Sequence, residues 1–255
     1  MRYRINRNHP LSFYSSLGCV AKVPIQSFVD AASDTRKLAE QISEFPVNIF
    51  EVLGMRNLSA FIGELFAASL RKATGQLFER NPHQDGYPDL LLMDDRGRRL
   101  FAELVESGML RSKQPFSPFR NGGVEIKATC GSVPTPAEFA KRNLGAKPDL
   151  GDQRINVLRG YDWKAHHRET NNLVGILWDF IDAIPAVTGV FFSSSLTETD
   201  WGKIVQPKEG GGRTTSVSIM TRDGVKKMYE NWVLVADDPR YIDFLNRYNS
   251  SSLIK

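Results

Sequence analysis

Two cysteines, Cys19 and Cys130, are all the chain has, and they lie far apart. They cannot complete a zinc site alone, and they offer no disulfide framework. With four histidines beside them, a Cys/His metal fold or a Cys-His hydrolase has little to draw on. Long apolar runs are missing too. The longest, such as Leu173 to Leu177, fall short of a membrane span. Met1 to Pro10 is basic and polar with no apolar stretch after it, so no secretory signal is expected and a cytoplasmic protein fits. No G-x-x-x-x-G-K-[ST] loop, G-x-G-x-x-G turn or G-x-S-x-G elbow occurs. That removes the common nucleotide-binding and serine-hydrolase signatures. No repeat, heptad array or Pro/Ser/Gly linker divides the chain.

What is present suits one sizeable core. Of 255 residues, 41% are hydrophobic and 24% charged, and one elaborated domain over 1–255 is expected. A net charge of +4 suits a polyanionic partner, although many proteins without one share it.

The periodicity alternates between helix and strand. Ser27 to Phe45 reads as helical with Asp34 as N-cap, and Leu58 to Thr74 as an amphipathic helix ended by Gly75. Glu64 lies on that second helix beside Ala60, Ala67 and Ala68, small residues that would let this face approach a sheet. Asp89 to Met93 reads as a strand, Asp95-Arg96-Gly97 as a turn, and Leu100 to Val105 as extended. Val124 to Thr129 is a further strand. Val174 to Ile181 and Val187 to Ser193 read as buried strands broken by Pro185, and Thr215 to Met220 as a half-buried one. Gly224 to Trp232 is expected to be helical, Val233 to Ala236 extended, and Pro239 to Tyr248 a closing helix with Pro239 in its first turn. Trp178 belongs in the core. The fold class expected is α/β, a central mixed sheet flanked by helices.

The decisive pattern is Pro88-Asp89 followed, after room for a hairpin and a loop, by Glu125-Ile126-Lys127. On a strand, Glu125 and Lys127 share a face while Ile126 points into the core. Asp89 would supply a second carboxylate from the neighbouring segment. Two carboxylates can hold Mg²⁺ through oxygen while leaving positions for water and phosphate, and the Ile126 carbonyl is a further candidate ligand. The metal would polarise a phosphate and activate water, with Lys127 adding positive charge. Glu-x-Lys on a strand is usually a solvated face and Pro-Asp usually a turn. The helix carrying Glu64 and the apolar run that starts at Asp89 set this occurrence apart. Glu103 and Glu106 are rival carboxylates on the expected strand, three apart and so facing opposite sides. Asp85 is another, in a turn-like stretch.

Glu64, Gly86-Tyr87-Pro88-Asp89-Leu90 and Val124-Glu125-Ile126-Lys127 together resemble the type II restriction endonucleases of the PD-(D/E)XK superfamily. The resemblance covers Leu58 to Thr129, about a quarter of the chain. It implies a restriction-endonuclease-like core over about 58–195 with the active site at one sheet edge. It implies Mg²⁺-dependent cleavage of double-stranded DNA leaving 5′-phosphates, with Mn²⁺ able to substitute. Asp89, Glu125, Lys127 and Glu64 are then the catalytic candidates, and Asp89, Glu125 and Ile126 the metal ligands. A homodimer follows from the palindromes that most such enzymes cut. A repair or junction nuclease of the same superfamily, or a non-catalytic DNA-binding protein, are the alternatives.

DNA-reading elements are expected within 131–172 and 203–222. In the second, Lys208, Arg213 and Thr214 flank the glycine triplet Gly210 to Gly212, where a backbone can approach closely and an arginine can read guanine or grip phosphate. The alternative there is a solvated hairpin loop. In the first, Lys164, His167 and Arg168 mix with Tyr161 and Trp163 as phosphate-contacting surfaces do. Asn171 and Asn172 follow, as candidates to bond base edges or to end a turn. Gly131 to Asp152, with Lys141, Arg142 and Lys147, reads as a long polar loop.

Overall fold

A computed structural model of the chain describes residues 1–6, 10–18, 20–165, 172–206 and 216–255. Its elements in order are β1 (Tyr3–Ile5), β2 (Leu11–Tyr14), β3 (Val20–Val23), α1 (Ile25–Ser43), α2 (Ile49–Ala73), β4 (Phe78–Arg80), β5 (Leu90–Leu92), α3 (Asp95–Glu106), β6 (Gly123–Thr129), α4 (Pro136–Arg142), β7 (Lys164–Ala165), β8 (Leu173–Ile181), β9 (Ile184–Ser193), β10 (Ser218–Ile219), α5 (Arg222–Glu230), β11 (Trp232–Ala236) and α6 (Pro239–Tyr248). Seven strands form one mixed sheet in the order β1-β11-β9-β8-β6-β5-β4. Within it β6 and β8 run parallel and the other neighbours antiparallel.

Both faces of this sheet are apolar, so both must be covered. Phe28 of α1 and Leu58, Ile62 and Phe66 of α2 pack on Val124, Ile126, Val174 and Val190. On the other side Met228 of α5 and Tyr241 of α6 close over Leu177, Phe191 and Val235. Each such side chain is worth roughly 1.5–3 kcal/mol when fully buried. The α2 side thus covers Val124 and Ile126 of β6, while the α5 and α6 side covers β8, β9 and β11. The fold is α/β, with a large mixed central sheet flanked by helices.

Several boundaries differ from the sequence reading. Leu100 to Val105 is helical, inside α3, because Asp94 caps that helix by accepting from Gly97 N–H at 2.8 Å. Leu100, Phe101 and Leu104 then face Leu91, Met93, Phe116 and Phe119 at helical spacing. Gly97 is no turn glycine: a Cβ there would stand 2.0 Å from the Leu92 carbonyl oxygen. Asp34 does not cap α1, which begins at Ile25 after Pro24; it pairs instead with Lys37 and Lys72 in mid-helix. Pro185 does not break a strand. It lies in β9 opposite Phe180, and the chain reverses at Asp182 and Ala183, both at positive φ. The 131–152 stretch contains α4, opened by a capping box of Thr135 and Glu138. Among the described residues, no helix is long and apolar enough to cross a membrane.

Candidate active site

The site begins where β5 stops. Its register with β6 pairs Leu90 with Val124 and Leu91 with Gly123. The strands touch closely there, since a Cβ on Gly123 would stand 1.9 Å from the Leu90 carbonyl oxygen. One step further along the register brings Asp89 opposite Glu125, and two steps bring Pro88 opposite Ile126. Proline has no N–H, so the ladder cannot continue through that pair. Side chains take over. Ile126 N–H donates to Asp89 Oδ2 at 2.8 Å, and Asp89 N–H donates to Glu125 Oε2 at 3.2 Å. The second half of β6 is thereby left as an open edge with two carboxylates fixed beside it.

Lys127 lies on the Glu125 face and joins the pair. Its Nζ is in direct ion contact with Glu125 Oε1 and 3.5 Å from Asp89 Oδ2. The side chains are graded in exposure, 7% for Glu125, 22% for Lys127 and 35% for Asp89, so Glu125 lies deepest and Asp89 nearest the surface. Burial pushes the Glu125 carboxyl up to about 7, against the Lys127 charge and with the help of Asp89. Burial alone would lower the Lys127 ammonium, but the Glu125 and Asp89 charges outweigh it and hold the group above its ordinary value. The two carboxylates thus favour the charged form of Lys127.

The folded protein holds the Glu125 proton more tightly than the unfolded chain does. The unfolded state therefore loses that proton first as pH rises, and stability falls between the ordinary value of 4.5 and about 7. Urea unfolding across this range is expected to show that slope, and Glu125→Gln is expected to flatten it. An unchanged slope in the variant would assign it to another group.

Around the open edge runs a cleft of about 1050 Å³. Asp89, Ile126 and Lys127 line it from the sheet. Ser59, Gly63 and Glu64 line it from α2, Arg80 from the end of β4, His83 from the segment between β4 and β5, and Lys164 from β7. Gly63 of α2 lies over Ala128 of β6. Lys164 arrives because Trp163 stands on Gly175, the β8 partner of Lys127. Glu64 faces the cleft but is largely exposed and ion-paired with Arg80 at 3.1 Å, without contact to the Asp89 group. Glu103 and Glu106, on α3, do not line the cleft. Asp85 stays in its loop.

Two carboxylates and the Ile126 carbonyl, freed by Pro88 from strand pairing, suit a hard cation that takes oxygen ligands. Among the described residues, no cluster of three or more His, Cys, Asp or Glu side chains could hold a metal. Asp89 and Glu125 would thus need the backbone and water to complete a coordination shell.

Of the residues expected to touch DNA, Lys164 is in the cleft. Lys208, Arg213, Thr214, His167, Arg168 and Asn171 lie outside the described residues. β7 and β10 pair antiparallel, which joins the two expected reading regions at Lys164 opposite Ile219. The Asn172 side chain is engaged inside the fold. It is buried, donating to Gly123 O at 3.0 Å and Tyr14 O at 2.6 Å, and so ties β2 to the start of β6. Arg80, Asn81 and His83 went unnoticed in the sequence. The signal was a dense run of turn formers, Asn81-Pro82-His83-Gln84-Asp85-Gly86, one residue ahead of the Pro-Asp pair. Comparison of the chain with protein-family models, curated proteins and solved structures finds no match.

Proposed function

We propose that the chain is a type II restriction endonuclease of the PD-(D/E)XK kind, a Mg²⁺-dependent hydrolase of double-stranded DNA that leaves 5′-phosphates. One observation carries this reading: Asp89, Glu125 and Lys127 are locked together at the open edge of β6, over a cleft large enough for a nucleotide strand. Asp89, Glu125 and the Ile126 carbonyl would hold the cation. When bound, it would polarise the phosphate, lower the pKa of an attacking water and neutralise developing charge. Lys127, kept protonated, stabilises charge on the phosphate and orients the water. Water attacks phosphorus, the bond to the 3′ oxygen breaks, and that oxygen leaves with a proton as a 3′-hydroxyl. Mn²⁺ takes similar oxygen ligands and is expected to substitute. A two-fold dimer would place two such clefts on a palindrome.

Purified protein incubated with plasmid or phage DNA is expected to give discrete fragments with Mg²⁺ and none with EDTA. Fragments that map to DNA structure instead of a fixed sequence would favour a repair or junction nuclease. Retardation of DNA with no cleavage under any divalent metal would overturn the enzyme reading in favour of a DNA-binding protein.

A further inference from the structure

We infer that His83 is a phosphate-contacting residue of this cleft, donating from Nε2–H to a non-bridging oxygen of the nucleic-acid backbone. The inference rests on the nuclease reading and adds a residue to it. His83 lines the cleft together with Asp89 and Lys127. Its Nδ1 accepts the Asp85 N–H at 3.1 Å, which leaves the ring proton on Nε2 as the donor. That N–H is a donor suited to an anionic oxygen beside Lys127. Arg80 and Lys127 already have carboxylate partners in Glu64 and the Glu125–Asp89 pair.

The loop bearing His83 is built as firmly as a strand. Asn81 is buried, and its side chain donates to Pro88 O and Phe116 O, each at 3.0 Å, while accepting His83 N–H at 3.0 Å. Its own N–H donates to Asp89 O at 3.0 Å. Gly86 closes the loop on His83 O at 2.9 Å and has no room for a side chain, since a Cβ would stand 2.3 Å from Asn81 Oδ1. One buried amide therefore fixes His83 and Asp89 to the same backbone.

The test is single-turnover cleavage of a duplex by the full chain, comparing His83→Ala, His83→Gln and Asp89→Ala. His83→Ala is expected to slow cleavage about ten- to hundred-fold, the range for losing one hydrogen bond to a charged group. His83→Gln, which keeps an N–H of similar reach, is expected to recover most of that loss, with the pH profile unchanged. Thermal melting should stay within a few degrees of wild type in both. If His83→Ala cuts at the wild-type rate while Asp89→Ala is inactive, the inference falls and the nuclease reading stands. If glutamine is as slow as alanine, the donor role falls in favour of proton transfer by the imidazole. If the wild-type chain cuts no DNA with any metal, both fall together.

Discussion

Asp89→Ala is expected to reduce Mg²⁺-dependent cleavage by on the order of 10³-fold or more while leaving a cooperative melt. The asymmetry follows from position. Asp89 is the most exposed of the three groups, so its loss uncovers little apolar surface. Within the fold it accepts from Ile126 N–H, a bond worth roughly 0.5–1.5 kcal/mol. For function it is one of two carboxylates, and Glu125 alone would hold a cation weakly. Asp89→Asn separates the two roles, because the amide oxygen still accepts from Ile126 while the charge is gone. Asparagine is expected to melt like wild type and to cut as poorly as alanine. Fragments from either variant at the wild-type rate would remove Asp89 from the chemistry.

The second large effect is on stability. Lys127→Met is expected to cost about 3–5 kcal/mol, because removing one partner of a buried ion pair strands the other. Methionine fills the space of the aliphatic stem but leaves Glu125 buried beside Asp89 with no cation. The loss is expected to grow with pH. With burial and Asp89 now unopposed, the Glu125 carboxyl rises further in the folded protein than its already elevated value of about 7. Protonation then relieves the site in acid, and stability falls as pH rises through that range. Urea unfolding at pH 5 and pH 8 measures this directly. Mg²⁺ is expected to stabilise the variant more than the wild type, since the ion would supply the charge that Lys127 gave. A variant as stable as wild type at pH 8 without metal would contradict the picture of a buried, mutually dependent triad.

Much of the fold could be read where periodicity was unambiguous. β6, β11 and α6 fall within a residue of their expected bounds, because alternation or a proline in the first turn marks them. The convergence of Asp89, Glu125 and Lys127 on one place was also legible, since strand geometry alone puts Glu125 and Lys127 on a common face. Short edge elements were not. β1, β2, β3 and β4 have three or four residues each, too few to show a period. α3 was hidden by Gly97, whose steric role against Leu92 looks in sequence like turn chemistry. α4 carried a readable capping box, Thr135 to Glu138, inside a polar stretch taken for loop. The buried role of Asn172 was hidden for a different reason, since its partner Tyr14 on β2 is set by tertiary contact.

The proline opposite Ile126 has a further consequence. A strand edge with unsatisfied amides is a template on which another chain can grow, and proteins usually shorten or charge such edges to prevent it. Here the sheet is interrupted in its interior, between β6 and the end of β5, and the gap is filled by a carboxylate, an ammonium and a second carboxylate. The groups proposed for hydrolysis thus also act as guards, keeping an open seam in the sheet from becoming a site of self-association.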